Sequence, residues 1–221
     1  MSQNRNYQKE LERILGFLEK QEKKQRLLLH ACCAPCSSWV LEYLADKFEI
    51  TLYFYNPNIF PELEYQKRAL ELQRLVEDMF PKGHSISICV EEYDPDSFYN
   101  MAKGLEQLPE GGERCFRCYE LRMRKAIIYA STNGFDYFTT TLSISPHKNA
   151  EKINEIGEKL SEEFGIKHLT SDFKKKDGYK RSIELSKEYQ LYRQNYCGCI
   201  YSKLASEEFM NGSLEDFFKA R

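Results

Sequence analysis

The stretch RLLLHACCAPCSSWVLEYLADKFEITLYFY, residues 26–55, carries the pattern on which the architecture turns. RLLLH (26–30) reads as a short apolar strand. SSWVLEYLADKF (37–48) follows as a helix with Ser37 placed to cap it, and EITLYFY (49–55) is a second β-rich run. A cysteine loop joins the first strand to the helix. Downstream come the two-proline loop NPNIFPE (56–62), a long helix over about 63–79 and an alternating strand SISICV (85–90). Residues 91–113, with Asp94-Pro95, Pro109 and Gly111-Gly112, read as irregular structure around one short helix. A helix over about 118–132, a strand DYFTTTL (136–142) and a helix over about 149–164 continue the alternation. Strands alternating with helices predict an α/β fold, a doubly wound, mainly parallel sheet covered on both faces.

Upstream, Leu11, Ile14, Leu15 and Leu18 recur at helical spacing and predict an amphipathic helix over about 7–24. Three parts are therefore expected: an N-terminal helical extension (1–25), an α/β domain (26–170), and a charged, helical C-terminal part (171–221) that contains Cys197-Gly198-Cys199. A chain of 221 residues can bury one substantial core, and 42% hydrophobic with 30% charged residues excludes wholesale disorder. Apolar runs such as 27–29 and 50–55 fall far short of the roughly 20 residues of a membrane helix. The charged N-terminus has no apolar signal core, so a cytoplasmic protein is expected. The net charge of −2, from 32 basic and 34 acidic residues, gives no bulk attraction for nucleic acid, and any such contact must use local patches.

Eight cysteines in a reducing compartment are better read as metal ligands or redox groups than as a disulfide framework. They fall into groups: Cys32, Cys33 and Cys36; Cys115 and Cys118; Cys197 and Cys199. Cys89 lies by itself within an apolar strand and reads as core. The first group sits where strand one gives way to a helix, the place at which open α/β sheets bind ligands, and a helix N-terminus stabilises thiolates. The bland alternative there is three small buried residues in a tight turn. In ERCFRCYELRMRK (113–125) a C-x-x-C pair opens another helix, a spacing that lets two sulfurs reach one metal centre. A four-cysteine zinc site could be assembled from this pair with Cys32 and Cys33. Adjacent ligands suit tetrahedral zinc poorly, because the short backbone between them cannot easily aim both sulfurs at one ion. In NYCGCIYS (195–202), Gly198 supplies the freedom to close a strained, labile disulfide between Cys197 and Cys199, although the two could also be ligands or inert thiols.

Taken in order, HACCAPC (30–36), FYNPNIFPELEYQKR (54–68), ERCFRCYELRM (113–123), TTLSISPHKN (140–149), GYKRSIELS (178–186) and LYRQNYCGCIYS (191–202) resemble the QueH-type epoxyqueuosine reductases over most of residues 27–203. The resemblance implies reduction of the epoxide of epoxyqueuosine in tRNA to the alkene of queuosine. It implies a 4Fe-4S cluster on Cys32, Cys33, Cys115 and Cys118, and a redox-active disulfide of Cys197 with Cys199. In some members an aspartate stands where this chain has Cys36, close to a second, mononuclear iron, so Cys36 is the candidate ligand for that metal. The implied fold is the doubly wound sheet of ATP-pyrophosphatase (HUP-like) tRNA-modifying enzymes, yet cysteines occupy the place of their Ser-Gly-Gly phosphate loop, which argues against nucleotide hydrolysis.

The implied partners are tRNA, through its epoxyqueuosine-containing anticodon loop, and an electron donor; no membrane is involved. For tRNA contact the sequence offers Lys174, Lys175, Lys176, Lys180 and Arg181, with Arg122, Arg124 and Lys125 as a second patch. Tyr55, Phe60 and Tyr119 are candidates for stacking on a splayed base, and His147 for a proton donor. The rival readings are a tRNA-binding module with structural zinc and a cluster-dependent tRNA thiolase.

Overall fold

The computed structural model describes residues 5–81 and 85–211, so residues 1–4 of the expected extension and 212–221 of the expected C-terminal part lie outside the described residues. Five parallel strands form one sheet in the order β3-β2-β1-β4-β5. The central strand β1 (Gln25–His30) pairs with β2 (Phe48–Phe54) on one side and β4 (Tyr137–Thr140) on the other, with Leu29 opposite both Leu52 and Thr139. Strand β3 (Ile86–Val90) forms one edge. Strand β5 (Lys167–His168) forms the other; its two residues are too few to show a periodicity, and the sequence pattern did not signal it.

Leu27, Leu28 and Leu29 are all fully buried, because β1 is covered on both faces and needs no polar alternation. Leu27 and Leu29 point into one core layer with Val40, Leu41 and Leu44 of α2 (Ala34–Leu44) and Leu72 and Leu75 of α3 (Glu62–Met79). Leu28 points into the opposite layer, with Met123, Ala126 and Ile127 of α5 (Glu113–Thr132) and Ile153 and Leu160 of α6 (Ala150–Phe164). The chain therefore winds outward from β1 to β3, then returns to the centre and winds the other way through β4 and β5.

The amphipathic helix α1 (Tyr7–Leu18) forms, capped by Asn6, whose side-chain oxygen accepts from the Lys9 N–H at 3.0 Å. It buries Tyr7, Leu11, Leu15 and Leu18 and stops there rather than at 24, since residues 19–24 offer no further apolar side chain to bury. Helix α2 starts at Ala34, three residues before the expected Ser37. Pro35 fits the first turn, where its missing N–H is not needed, so the cap position falls to Cys33 with an extended backbone. Ser37 lies inside the first turn and donates its hydroxyl to the Cys33 carbonyl at 2.8 Å. Helix α5 likewise starts earlier than expected, at Glu113, which places both Cys115 and Cys118 in its first two turns.

The irregular segment holds one short helix, α4 (Pro95–Ala102), capped by Asp94. A 3-10 turn, Thr141–Ile144, follows β4. The C-terminal part contributes α7 (Gly178–Glu188) and α8 (Ile200–Asn211).

Candidate metal and redox site

At the carboxyl ends of β1 and β4, where the winding reverses, an open cavity of about 680 Å³ is lined by seven of the eight cysteines. Cys32, Cys33 and Cys36 come from the β1–α2 joint, and their three sulfurs lie within 4.8 Å of one another. The Cys32 and Cys33 sulfurs are 3.9 Å apart. Thr141, at the end of β4, ties this loop across the sheet, accepting from the Cys32 N–H at 3.3 Å while its hydroxyl donates to the Cys32 sulfur at 3.5 Å. Beneath it His30 is fully buried. Its Nε2 must donate to the Tyr55 carbonyl (3.1 Å), leaving Nδ1 to accept from the Thr140 hydroxyl (2.8 Å). Burial drives its pKa down to about 4, so it stays neutral and serves to lock three strand ends together.

Cys115 and Cys118 stand three residues apart on one face of α5 and line the same cavity. The Gly111 N–H donates to the Cys115 sulfur at 3.3 Å. Arg114, immediately before Cys115, is buried, and its Nη1 donates to the carbonyls of Leu105, Glu106 and Leu108, so it stitches the preceding loop to α5. The third pair arrives from far along the chain: the Cys197 and Cys199 sulfurs are 3.6 Å apart, the separation of a dithiol, and Gly198 between them has φ +123°. The Gly198 carbonyl accepts from the Phe60 N–H at 2.8 Å. Ser202 in the first turn of α8 donates its N–H to the Cys199 sulfur (3.3 Å) and its hydroxyl to Glu110 (3.0 Å).

The thiols titrate as groups. Cys32 is held well below the usual cysteine value by hydrogen bonds from Cys33 and Cys36, so the negative charge of the trio settles on it. The same contact pushes Cys33 up to about 11 and Cys36 well above its usual value. Burial pushes Cys118 up to about 11 and also raises Cys115. Cys197 is drawn down by its hydrogen bond with Cys199 and, beyond that, by the Lys148 ammonium; the same contact moves Cys199 up. The thiolate is the nucleophile and the metal ligand, so Cys32 and Cys197 are the two sulfurs readiest to act.

Arg122, Arg68 and Lys148 set positive charge beside these sulfurs, and of the three the sequence patterns marked only Arg122, for another role. Arg122 was expected on a surface patch; instead it is 4% exposed, because its position on α5 faces the sheet, and it bonds the Cys118 carbonyl and Asn56. Arg68 of α3 is buried against the loop of Cys197. Lys148 lines the cavity, where its charge acts on Cys197, Cys32 and Cys36. The sequence pointed to its neighbour His147, which is exposed on the cavity rim. Which of the two turns inward depends on the 3-10 turn after β4, and no local pattern announces it.

The basic residues proposed for tRNA are largely committed to neighbours. Arg181 straps α7 to α2 through Glu42 at 2.6 Å, Lys174 pairs with Asp172, Lys176 with Glu12, and Arg124 with Glu120 and Glu163. Lys175 and Lys180 are exposed, and Lys125 lies 5.6 Å from the Tyr55 ring. Tyr55 and Tyr119 are both buried, Phe60 partly so, and Tyr119 alone of the three lines the cavity. Cys89, on β3, lies outside it, half-buried against the second core layer. No helix among the described residues is long and apolar enough to cross a membrane.

Comparison with known proteins meets the same site. The family model described as epoxyqueuosine reductase QueH matches residues 27–205, a span that holds every cysteine of the cavity. Similar curated proteins, each named epoxyqueuosine reductase QueH, include one from Staphylococcus epidermidis, 43% identical over 92% of this chain and 87% of its own length. Another, from Streptococcus pyogenes serotype M1, is 42% identical over 91% of this chain and 79% of its own. A more distant one, from Thermotoga maritima, is 36% identical over 82% of this chain and 92% of its own.

Proposed function

From membership of the epoxyqueuosine reductase QueH family, to which this chain belongs, we propose a division of labour for its cavity: four cysteines hold a 4Fe-4S cluster, and the Cys197/Cys199 dithiol completes the reduction of the epoxide. The protein is an oxidoreductase of queuosine biosynthesis, and its substrate is the epoxyqueuosine of tRNA. The observation that carries the proposal is the convergence of seven sulfurs from three separate parts of the chain on one cavity at the switch point of the sheet.

The donor set fits the group. All candidate ligands are soft sulfurs, and the adjacent Cys32 and Cys33 can each take a different iron of a cluster where a single tetrahedral ion would strain them. Cys32, Cys33, Cys115 and Cys118 would hold it, and Cys36, within 4.8 Å of its two neighbours' sulfurs, is the proposed ligand of a second, mononuclear iron. A bound cluster supplies electrons one at a time.

Turning an epoxide into an alkene breaks two C–O bonds, makes one C=C bond and releases water, consuming two electrons and two protons. Oxidation of Cys197 and Cys199 to a disulfide yields the same two electrons and two protons, so dithiol and epoxide balance alkene, disulfide and water. An external electron donor must then restore the dithiol. Cys197, with its lowered pKa, is the sulfur that begins this exchange; Cys199 holds the proton until the disulfide closes. Lys148 keeps positive charge beside them, where an oxygen leaving carbon gathers negative charge. The modified base must leave the anticodon stack to enter the cavity, where Tyr119 and Asn58 line the wall.

The test separates holding metal from turning over. Cys197→Ser and Cys199→Ser are expected to purify brown with near-normal iron and labile sulfide, yet fail to convert epoxyqueuosine in tRNA. Thiol counting should show two titratable thiols lost on oxidation of the wild type and none in the double serine variant. Serine variants that lose their iron would make the pair ligands and end the dithiol role. A colourless protein with one tightly held zinc would end the cluster assignment.

A further inference from the structure

Arg68 is the largest fully buried side chain among the described residues. It stands in the second turn of α3, and each part of its guanidinium meets something different. Nε donates to Glu64 at 2.7 Å. Nη1 donates to the Cys197 carbonyl at 3.2 Å. Nη2 is buried and has no hydrogen-bond partner among the described residues. The plane lies 5.3 Å from the Tyr196 ring, and a Cβ at position 198 would come within 3.0 Å of Nη1, so the CGC loop is moulded onto this group and requires glycine there. Arg68 and Cys33 line the same cavity, where the guanidinium charge acts on the Cys33 sulfur. The ion pair with Glu64 thus leaves a buried guanidinium nitrogen unanswered among the described residues, on a side chain that lines the same cavity as Cys33.

We propose that Arg68 is a positioning residue for the redox chemistry: it clamps the CGC loop through the Cys197 carbonyl and places a fixed positive charge beside the cluster at Cys33, easing the cluster's reduction. The inference rests on the cluster reading above. A cluster bound by thiolates is anionic and gains another negative charge on reduction, so a buried cation next to one ligand favours the reduced form. Glu64, sharing that cation, opposes the effect. A planar fork suits the double task better than an ammonium, because one nitrogen can hold the Cys197 carbonyl while the delocalised charge still acts across the cavity.

The experiment is a redox titration, read by electron paramagnetic resonance, of the iron-loaded protein and three variants. Arg68→Gln is expected to make cluster reduction at least tenfold less favourable, which for a one-electron couple is a fall of about 59 mV in midpoint. Glu64→Gln is expected to shift it the opposite way, an opposition that mere structural damage would not produce. Arg68→Lys should keep the midpoint within threefold of wild type while changing the dithiol–disulfide equilibrium of Cys197 and Cys199 with glutathione about tenfold, because the ammonium loses the carbonyl clamp. If Arg68→Gln does not accumulate, the Glu64→Gln and Arg68→Lys measurements decide. An unchanged midpoint in Arg68→Gln, or shifts of the same sign in the Gln variants of both residues, overturns the inference while leaving the cluster in place. A wild-type protein without iron and labile sulfide overturns the cluster reading, and this inference with it.

Discussion

Cys118 and Cys89 are both packed among apolar side chains, yet they face different things. Cys118 is 7% exposed, lies on α5 toward the cavity and shares it with six other sulfurs, whereas Cys89 lies on β3 away from it. Replacing Cys115 or Cys118 by alanine should remove most of the bound iron and all reductase activity, since each is a proposed ligand that supplies one bond to the cluster. Cys89→Ala should keep both, and iron analysis of the three variants checks the contrast. At Gly198 the constraint is backbone: φ +123° is a conformation that a side chain strains, and the added Cβ would press on Arg68 and on Ile59 at 3.1 Å. Gly198→Ala is expected to cost about 1–3 kcal/mol of stability by denaturant unfolding and to lower turnover more than tenfold, with iron content preserved. Of the residues that matter here, the cysteines and Gly198 were legible from spacing alone. Lys148 and Arg68 were not, because a lysine in a loop and an arginine on a charged helix look the same in sequence whether they face water or sulfur.

Elements succeed or fail at their joints. The β1–α2 joint works because Pro35 starts the helix while Cys33 stays extended, and the sulfurs are gathered within that turn. The α6–β5 joint works by close approach: Gly157 lets the His168 ring lie where a Cβ would come within 2.4 Å of it. Neither backbone nor ring can give that much room. Gly157→Ala is therefore expected to destabilise the fold by about 1–3 kcal/mol through overpacking, despite alanine's better helix propensity, and chemical denaturation should show it. A gain in stability would mean that α6 shifts freely on the sheet.

For the whole molecule, His168 couples stability to pH. Its ring is buried against Phe138 at 5.1 Å, neither ring nitrogen has a partner among the described residues, and burial, with a smaller push from Arg5, lowers its pKa to about 3. In the unfolded chain the group titrates near 6.5, so the unfolded state takes up the proton first as pH falls. The neutral ring's contribution is complete above about pH 6.5 and is lost progressively below it, by up to about 1.4 kcal/mol per pH unit. His30, lowered to about 4, adds to the loss in the same window. Urea midpoints between pH 7 and 4.5 should fall less steeply for His168→Leu than for wild type; equal slopes would place the proton uptake elsewhere.

What the sequence determined by itself is what a few neighbouring residues can encode. The run Leu27–Leu29 announced a strand covered on both faces, and the alternation after it announced the α/β class. Leu11, Leu15 and Leu18 announced a helix face, and the cysteine spacings announced sulfur chemistry. The tertiary structure alone decided which distant pieces meet. Setting β4 beside β1 rather than beyond β3 brings Thr141 and Lys148 to the cysteine loop, and the α3 face that holds Arg68 receives residues 197–199 from the far end of the chain. Periodicity is a property of adjacent turns and pleats. Strand order, and the burial of an arginine or a lysine among thiols, is settled only when the two core layers close over the sheet and the chain as a whole has packed.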